Sequence, residues 1–244
     1  MAMRRGPQLP YSIVGSTTPW GSRWVVATAR IIGATFVPEV PRLFESFLSV
    51  LEDRPSLESV ALNAPVGYRD TVDEGYRTCD LDARALLGPR WYTVRRAPSR
   101  EALDPSHVWP DGALDAVTAT LLPRYREVAA EMMSYRQRVV YEGHPELAFY
   151  HLNGEVPMRY PKSRPEGREE RRELLLHRIP GIDSVIDAKE NDELDDEVRR
   201  IPEAHLLDAA ALLWTARRAF GKAATRIPRE AEWDTEGLRT EIIF

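Results

Sequence analysis

Little in this sequence of 244 residues points to an extracellular or membrane protein. It has one cysteine, Cys79, so it holds no internal disulfide framework and no cysteine-only metal site. No apolar run reaches the roughly 18 residues that a membrane-crossing helix needs. The basic start, Met-Ala-Met-Arg-Arg-Gly-Pro, is not followed by an apolar segment and does not read as a secretory signal. The common chemical signatures are missing as well. Ser16 and Thr17 lack the Gly-x-x-x-x-Gly-Lys frame of a phosphate loop, and there is no Gly-x-Ser-x-Gly, no His-Glu-x-x-His and no zinc spacing. A soluble protein with a cytoplasmic address and no membrane partner is expected.

Charge of either sign is not in large excess: 33 basic and 38 acidic residues leave a net −5, which gives no global pull toward nucleic acid. The distribution is uneven, however. Residues 76–100 hold six arginines against two aspartates, residues 159–178 seven basic against four acidic side chains, and residues 183–197 eight acids and one lysine. Each run is either a solvated face or, for the two basic stretches, part of a surface for a polyanion.

The chain is 43% hydrophobic and 29% charged, the composition of an ordinary globular protein. Residues 11–16 read as a short strand that ends in a Gly/Ser/Thr/Pro loop. Residues 23–30 and 31–37 are β-branched and predict an antiparallel pair, with Gly33 near the turn. Leu43, Phe44, Phe47, Leu48 and Leu51 recur at helical spacing within residues 41–53. Residues 59–63 form a compact apolar strand, stopped by Ala64-Pro65-Val-Gly67. Residues 68–137 read as a mainly helical insertion with helices at 80–87 and 114–136, and Pro123 is placed to kink or split the second. Another strand is expected at 138–142, a strongly charged helix at 166–177, and the best helix at 202–220, striped by Leu206, Leu207, Ala210, Leu213 and Trp214. Strands alternating with helices make an α/β protein.

The most specific chemical segment is Tyr141-Glu142-Gly143-His144-Pro145-Glu146. An extended backbone would aim Glu142, His144 and Glu146 to one face, and Pro145 favours an extended His144. Two carboxylates and an imidazole at the end of a strand can hold a hard divalent cation. They equally suit a hydrogen-bonded strand terminus with Glu146 opening a helix. His205 and Asp208 lie one helical turn apart, so they either converge on a common point or mark the polar edge of an amphipathic helix. Asn63 closes an apolar strand, where it orients a ligand or starts a turn. Cys79 is a buried small residue unless Arg77 and Arg84 converge on it and activate the thiol.

Several motifs in order resemble one known family over almost the whole chain. They are Trp24-Val-Val-Ala27, Asn63-Ala-Pro-Val-Gly67, Arg77-Thr-Cys-Asp80 with Ala83-Arg84 and Leu87-Gly88, and Ala97-Pro98-Ser-Arg100. Further on come Glu142-Gly-His-Pro-Glu146, Lys162, Gly167-Arg-Glu-Glu-Arg-Arg172, Leu207-Asp-Ala209, Trp214-Thr-Ala216 and Asp234-Thr-Glu-Gly-Leu-Arg239. The resemblance is to domain of unknown function 429, a family described as predicted nucleases with a ribonuclease-H-like fold. It implies a single domain over residues 1–244: a mixed sheet of three antiparallel strands followed by parallel ones, flanked by helices.

In that fold, acids on the first strand, the fourth strand and the last helix hold two divalent ions, Mg or Mn, that activate water at a phosphodiester. This sequence departs from the pattern. The first acid falls at Gly15-Ser16, the second on Asn63, and the last helix offers His205 and Asp208. Glu142 and Glu146 remain, so a single ion on Glu142 and Asp208, with His205, is the most that survives. The frame of Ser16, Arg77, Arg84, Arg100, Lys162 and Arg168 suits a ligand. Three functions follow from the resemblance. One is a catalytically degenerate member that binds nucleic acid, a nucleotide, another phosphorylated ligand or a partner without two-metal hydrolysis. The others are a phosphodiester hydrolase with a reduced one-metal site, and an enzyme repurposed for a small molecule through His144, Glu142, Cys79 or His205.

Overall fold

A computed structural model of the chain describes residues 9–106 and 114–244; the basic stretch 1–7 lies outside them. The sheet starts with a long hairpin. β1 (Ser12–Trp20) and β2 (Arg23–Ile32) pair antiparallel from Ser12 opposite Ile31 to Trp20 opposite Arg23. Gly21 makes the tight turn at φ +57, a conformation in which a Cβ would be strained. The segment expected to be a loop after Ser16 is therefore strand: Thr17, Thr18 and Pro19 sit opposite Val26, Val25 and Trp24. The β-branched partner strand outweighs their own turn preference.

β3 (Thr35–Pro38) folds back on β2 as the sequence predicts. β4 (Arg42–Phe44) pairs with the other half of β2, so Leu43 and Phe44 belong to a strand and not to the helix their spacing suggested. Helix α1 (Phe47–Glu52) begins only at Ser46, whose hydroxyl accepts from the Ser49 N–H at 3.1 Å, a cap that fixes the helix start. β5 (Ser59–Leu62) and β6 (Val140–Glu142) then add in parallel, giving the order β3-β2-β1-β5-β6 with β4 beside β2. This is the ribonuclease-H-like arrangement of a mixed sheet.

Between β5 and β6 the chain forms α2 (Thr78–Leu87), α3 (Arg100–Leu103) and α4 (Ala116–Glu131), and Pro123 lies inside α4 without ending it. After β6 come α5 (Pro145–Leu152), α6 (Pro165–Arg178), α7 (Asp183–Ile186), α8 (Asp196–Arg199) and α9 (Glu203–Phe220). A short antiparallel pair, β7 (Arg226–Ile227) and β8 (Ile242–Ile243), closes the chain.

Period-two alternation along β2 builds the two cores. Val25, Ala27 and Ala29 pack with Leu206 and Leu213 of α9, while Trp24 and Val26 pack with Phe47 and Val50 of α1 and Val128 of α4. Small side chains let α9 lie close across β1, β2 and β5. Two strand hydroxyls fix it there: Ser16 donates to the Ala209 carbonyl at 2.7 Å and Ser59 to the Ala216 carbonyl at 3.0 Å. Those carbonyls lie about two helical turns apart, on one stripe of the helix. Among the described residues no helix is long and apolar enough to cross a membrane.

Candidate functional site

The carboxyl ends of β5 and β6 open into a cavity of about 340 Å³, with Pro19 of β1 at its edge. Open α/β sheets hold ligands at such ends. Asn63, Arg77, Glu142, His144, Glu146, Lys162 and Asp208 all line this cavity, so seven of the residues singled out in the sequence share one site. The remaining six, Ser16, Cys79, Arg84, Arg100, Arg168 and His205, do not line it.

Each carboxylate of the site already has a cation from the fold. Glu142, at the end of β6, takes two bonds from Arg77, at 2.6 and 2.8 Å, and one from the Val66 N–H at 2.7 Å. Arg77 also bonds Asp80 at 2.7 and 3.1 Å and the Gly67 carbonyl at 3.0 Å. All five guanidinium donors are thereby used. Arg77 and Asp80 are 2% and 1% exposed, so one cation is shared by two carboxylates in a dry environment. Burial pushes the Glu142 carboxyl upward, against the pull of Arg77.

Glu146, in the first turn of α5, meets the fully buried Arg171 at 2.7 and 2.8 Å, with Arg90 at 3.5 Å. Asp208 of α9 pairs through Oδ2 with Lys162. Glu142, His144 and Glu146 thus line one cavity, but the two carboxylates are captured by different arginines.

Of Glu142 and Asp208, the pair considered for a shared ion, only Asp208 keeps an oxygen, Oδ1, unbonded among the described residues. Both oxygens of Glu142 are bonded to Arg77. Among the described residues no group of three or more His, Cys, Asp or Glu side chains is arranged to hold a metal. Magnesium relies on carboxylates and near-ideal octahedral geometry, and these ion-paired residues do not fit it.

His144 precedes Pro145 with φ −125 and ψ 120, the extended backbone a following proline favours. Its Nε2 lies 3.3 Å from the Thr93 carbonyl, and burial lowers its pKa. Burial likewise lowers the pKa of His205. A histidine whose folded pKa is depressed gives full stability above the unfolded value of about 6.5, and that stability is lost as pH falls. His144→Asn is therefore expected to flatten the fall in unfolding free energy between about pH 7 and 5.5. Urea denaturation of both proteins across that range checks it, and an unchanged slope would assign the effect elsewhere.

The other residues from the sequence reading brace the frame. Ser16 is fully buried against α9. Arg84 stacks over the Tyr76 and Trp91 rings and donates to the Val94 carbonyl at 2.8 Å. Arg100 binds Asp234 and Glu236, both at 2.6 Å, and Arg168 binds Glu203 at 2.9 Å. Burial raises the Cys79 thiol well above its ordinary value, so Arg77 does not activate it.

Arg90, Tyr92 and Tyr125 also line the cavity, and Arg171 anchors its floor through Glu146. The first three did not stand out in the sequence, and Arg171 did so only as part of the Gly167–Arg172 motif. Arg171 carried a readable signal: Gly167, Arg171 and Leu175 recur every four residues on the buried face of α6. Gly167 is there for space, since a Cβ would lie 2.1 Å from the Pro161 carbonyl oxygen. Gly167→Ala must displace backbone next to Lys162 and is expected to cost about 3 kcal/mol. Chemical denaturation reads that loss, and a cost near zero would mean α6 can shift freely.

The fold and site define an α/β protein of ribonuclease-H-like arrangement whose cleft acids are ion-paired within the fold. The chain belongs to the family described as "Protein of unknown function (DUF429)", whose model matches residues 19–232. No curated protein and no solved structure matches it.

Proposed function

We propose that this chain is a catalytically degenerate member of its family, binding a nucleic-acid or nucleotide end in the cavity without two-metal hydrolysis. The carrying observation is that Glu142, Glu146 and Asp208 are each neutralised by Arg77, Arg171 or Lys162. Cations that cancel the site's acids admit a phosphate where free carboxylates would repel it. Arg95 and Arg96 add further cations to the lining. Asn63 and Ser16, at the positions where the resemblance places two acids, add no negative charge. Cys79 is a free, buried thiol, which suits a reducing, cytoplasmic setting.

A labelled single-stranded oligonucleotide, followed by anisotropy in EDTA, tests this reading. Binding is expected to weaken with salt at a log–log slope of about 2, the value for roughly three phosphate contacts on a single strand. The strand is expected to stay intact when Mn²⁺ replaces EDTA. Mn²⁺-dependent cleavage lost in Asp208→Asn would instead establish a hydrolase with a reduced metal site. Absence of salt-sensitive binding would overturn the proposal.

A second reading has one observation behind it. His144 lines the same cavity with its pKa lowered and its Nδ1 unpartnered, as proton transfer on a small molecule would require. Turnover of a co-purified small ligand that stops in His144→Asn would establish it.

A further inference from the structure

We infer that the end held in the cavity is a nucleotide with a free sugar hydroxyl, which donates to Oδ1 of Asp208; this rests on the phosphate-binding reading above. Asp208 is 4% exposed and lines the cavity. Its Oδ2 is bound by Lys162, but its Oδ1 is buried with no hydrogen-bond partner among the described residues. A buried carboxylate oxygen without a donor is costly and uncommon in folded proteins.

The same cavity holds the reverse deficit. Arg90 is 5% exposed, and its Nε has no acceptor. A phosphodiester group supplies acceptors only, so it would satisfy Arg90 and Lys162 while facing Asp208 as one anion against another. A phosphorylated sugar supplies both kinds of partner: phosphate oxygens for the cations and a hydroxyl proton for Asp208. Asn63 adds an amide, with two donors and an acceptor, to the same lining.

The rest of the cavity suits the base. Tyr92, half exposed, and Tyr125 line it alongside Val94 and Leu121. Aromatic faces stack bases without regard to sequence. The volume of about 340 Å³ lies at the low end for small-molecule sites, matching one nucleotide and not a duplex.

Calorimetric titration with adenosine 5′-monophosphate and its 2′,3′-dideoxy form tests the inference. A parallel arm uses short oligonucleotides ending in a ribo- or a dideoxyribonucleotide. Binding of the monophosphate identifies a free nucleotide as the source; binding confined to the oligonucleotides identifies a strand end. In the arm that binds, the hydroxyl-bearing form is expected to be tighter by about tenfold or more. In Asp208→Asn the preference is expected to shrink to within about threefold, because the amide is a weaker acceptor than the carboxylate.

Equal affinity for both forms in the wild type, with salt-sensitive oligonucleotide binding intact, overturns this inference and leaves the binding function standing. A preference that Asp208→Asn does not change also overturns it. Loss of all binding, oligonucleotides included, overturns both. The wild-type comparison decides even if the variant does not fold.

Discussion

Arg77→Met is expected to lower the unfolding midpoint by on the order of 10 °C. The guanidinium is 2% exposed and bonds both Glu142 and Asp80. Removing it leaves two buried carboxylates close together with no cation between them. Breaking a buried pair by deleting one partner costs roughly 3–5 kcal/mol, mostly through the charge left behind. At this chain length about 1 kcal/mol moves the midpoint by roughly 2–4 °C. The triple variant Arg77→Met, Asp80→Asn, Glu142→Gln removes the stranded charges and is expected to recover most of the loss. Thermal denaturation of the single and triple variants checks both statements. A single-variant drop below about 2 °C would show that the pairs are worth no more than surface ones.

Ser16→Asp is expected to be comparably damaging, by about 3–5 kcal/mol, although it supplies an acid where the resemblance expects one. Ser16 is fully buried and its hydroxyl donates to the Ala209 carbonyl. An aspartate there exchanges a donor for an anion, aimed at a carbonyl and one residue along α9 from Asp208. The sheet would have to release α9, the helix that spans β1, β2 and β5. Midpoints measured with and without Mn²⁺ decide the point. If Mn²⁺ raises the Ser16→Asp midpoint to the wild-type value, the position still serves a metal, and the reading of Ser16 as an anchor for α9 fails.

The sequence reveals the fold where one signal acts alone. The β-branched run of β2 and the apolar stripe of α9 are visible because periodicity and partner agree. It misleads where tertiary pairing overrides local preference. Thr17 to Pro19 look like a loop but are held by Val25 and Val26. Leu43 and Phe44 look helical but pair with Val25 and Trp24. The site is legible in its residues and not in its charge state. Glu142, His144, Glu146, Asp208, Asn63, Arg77 and Lys162 were all visible at motif positions. That Arg77 lies 65 residues from its partner Glu142, and Arg171 25 residues from Glu146, was not. Such partnerships form only when the insertion and α6 fold back over the sheet ends, and no spacing rule reports them.

The ion pairing of the cleft acids is tested most directly by calorimetric titration of the wild type with Mn²⁺, beside Glu142→Ala and Asp208→Ala. With Glu142 committed to Arg77 and Asp208 to Lys162, no saturable binding is expected up to millimolar Mn²⁺. Saturable binding that both substitutions abolish would contradict it, and would return Glu142 and Asp208 to the role of metal ligands.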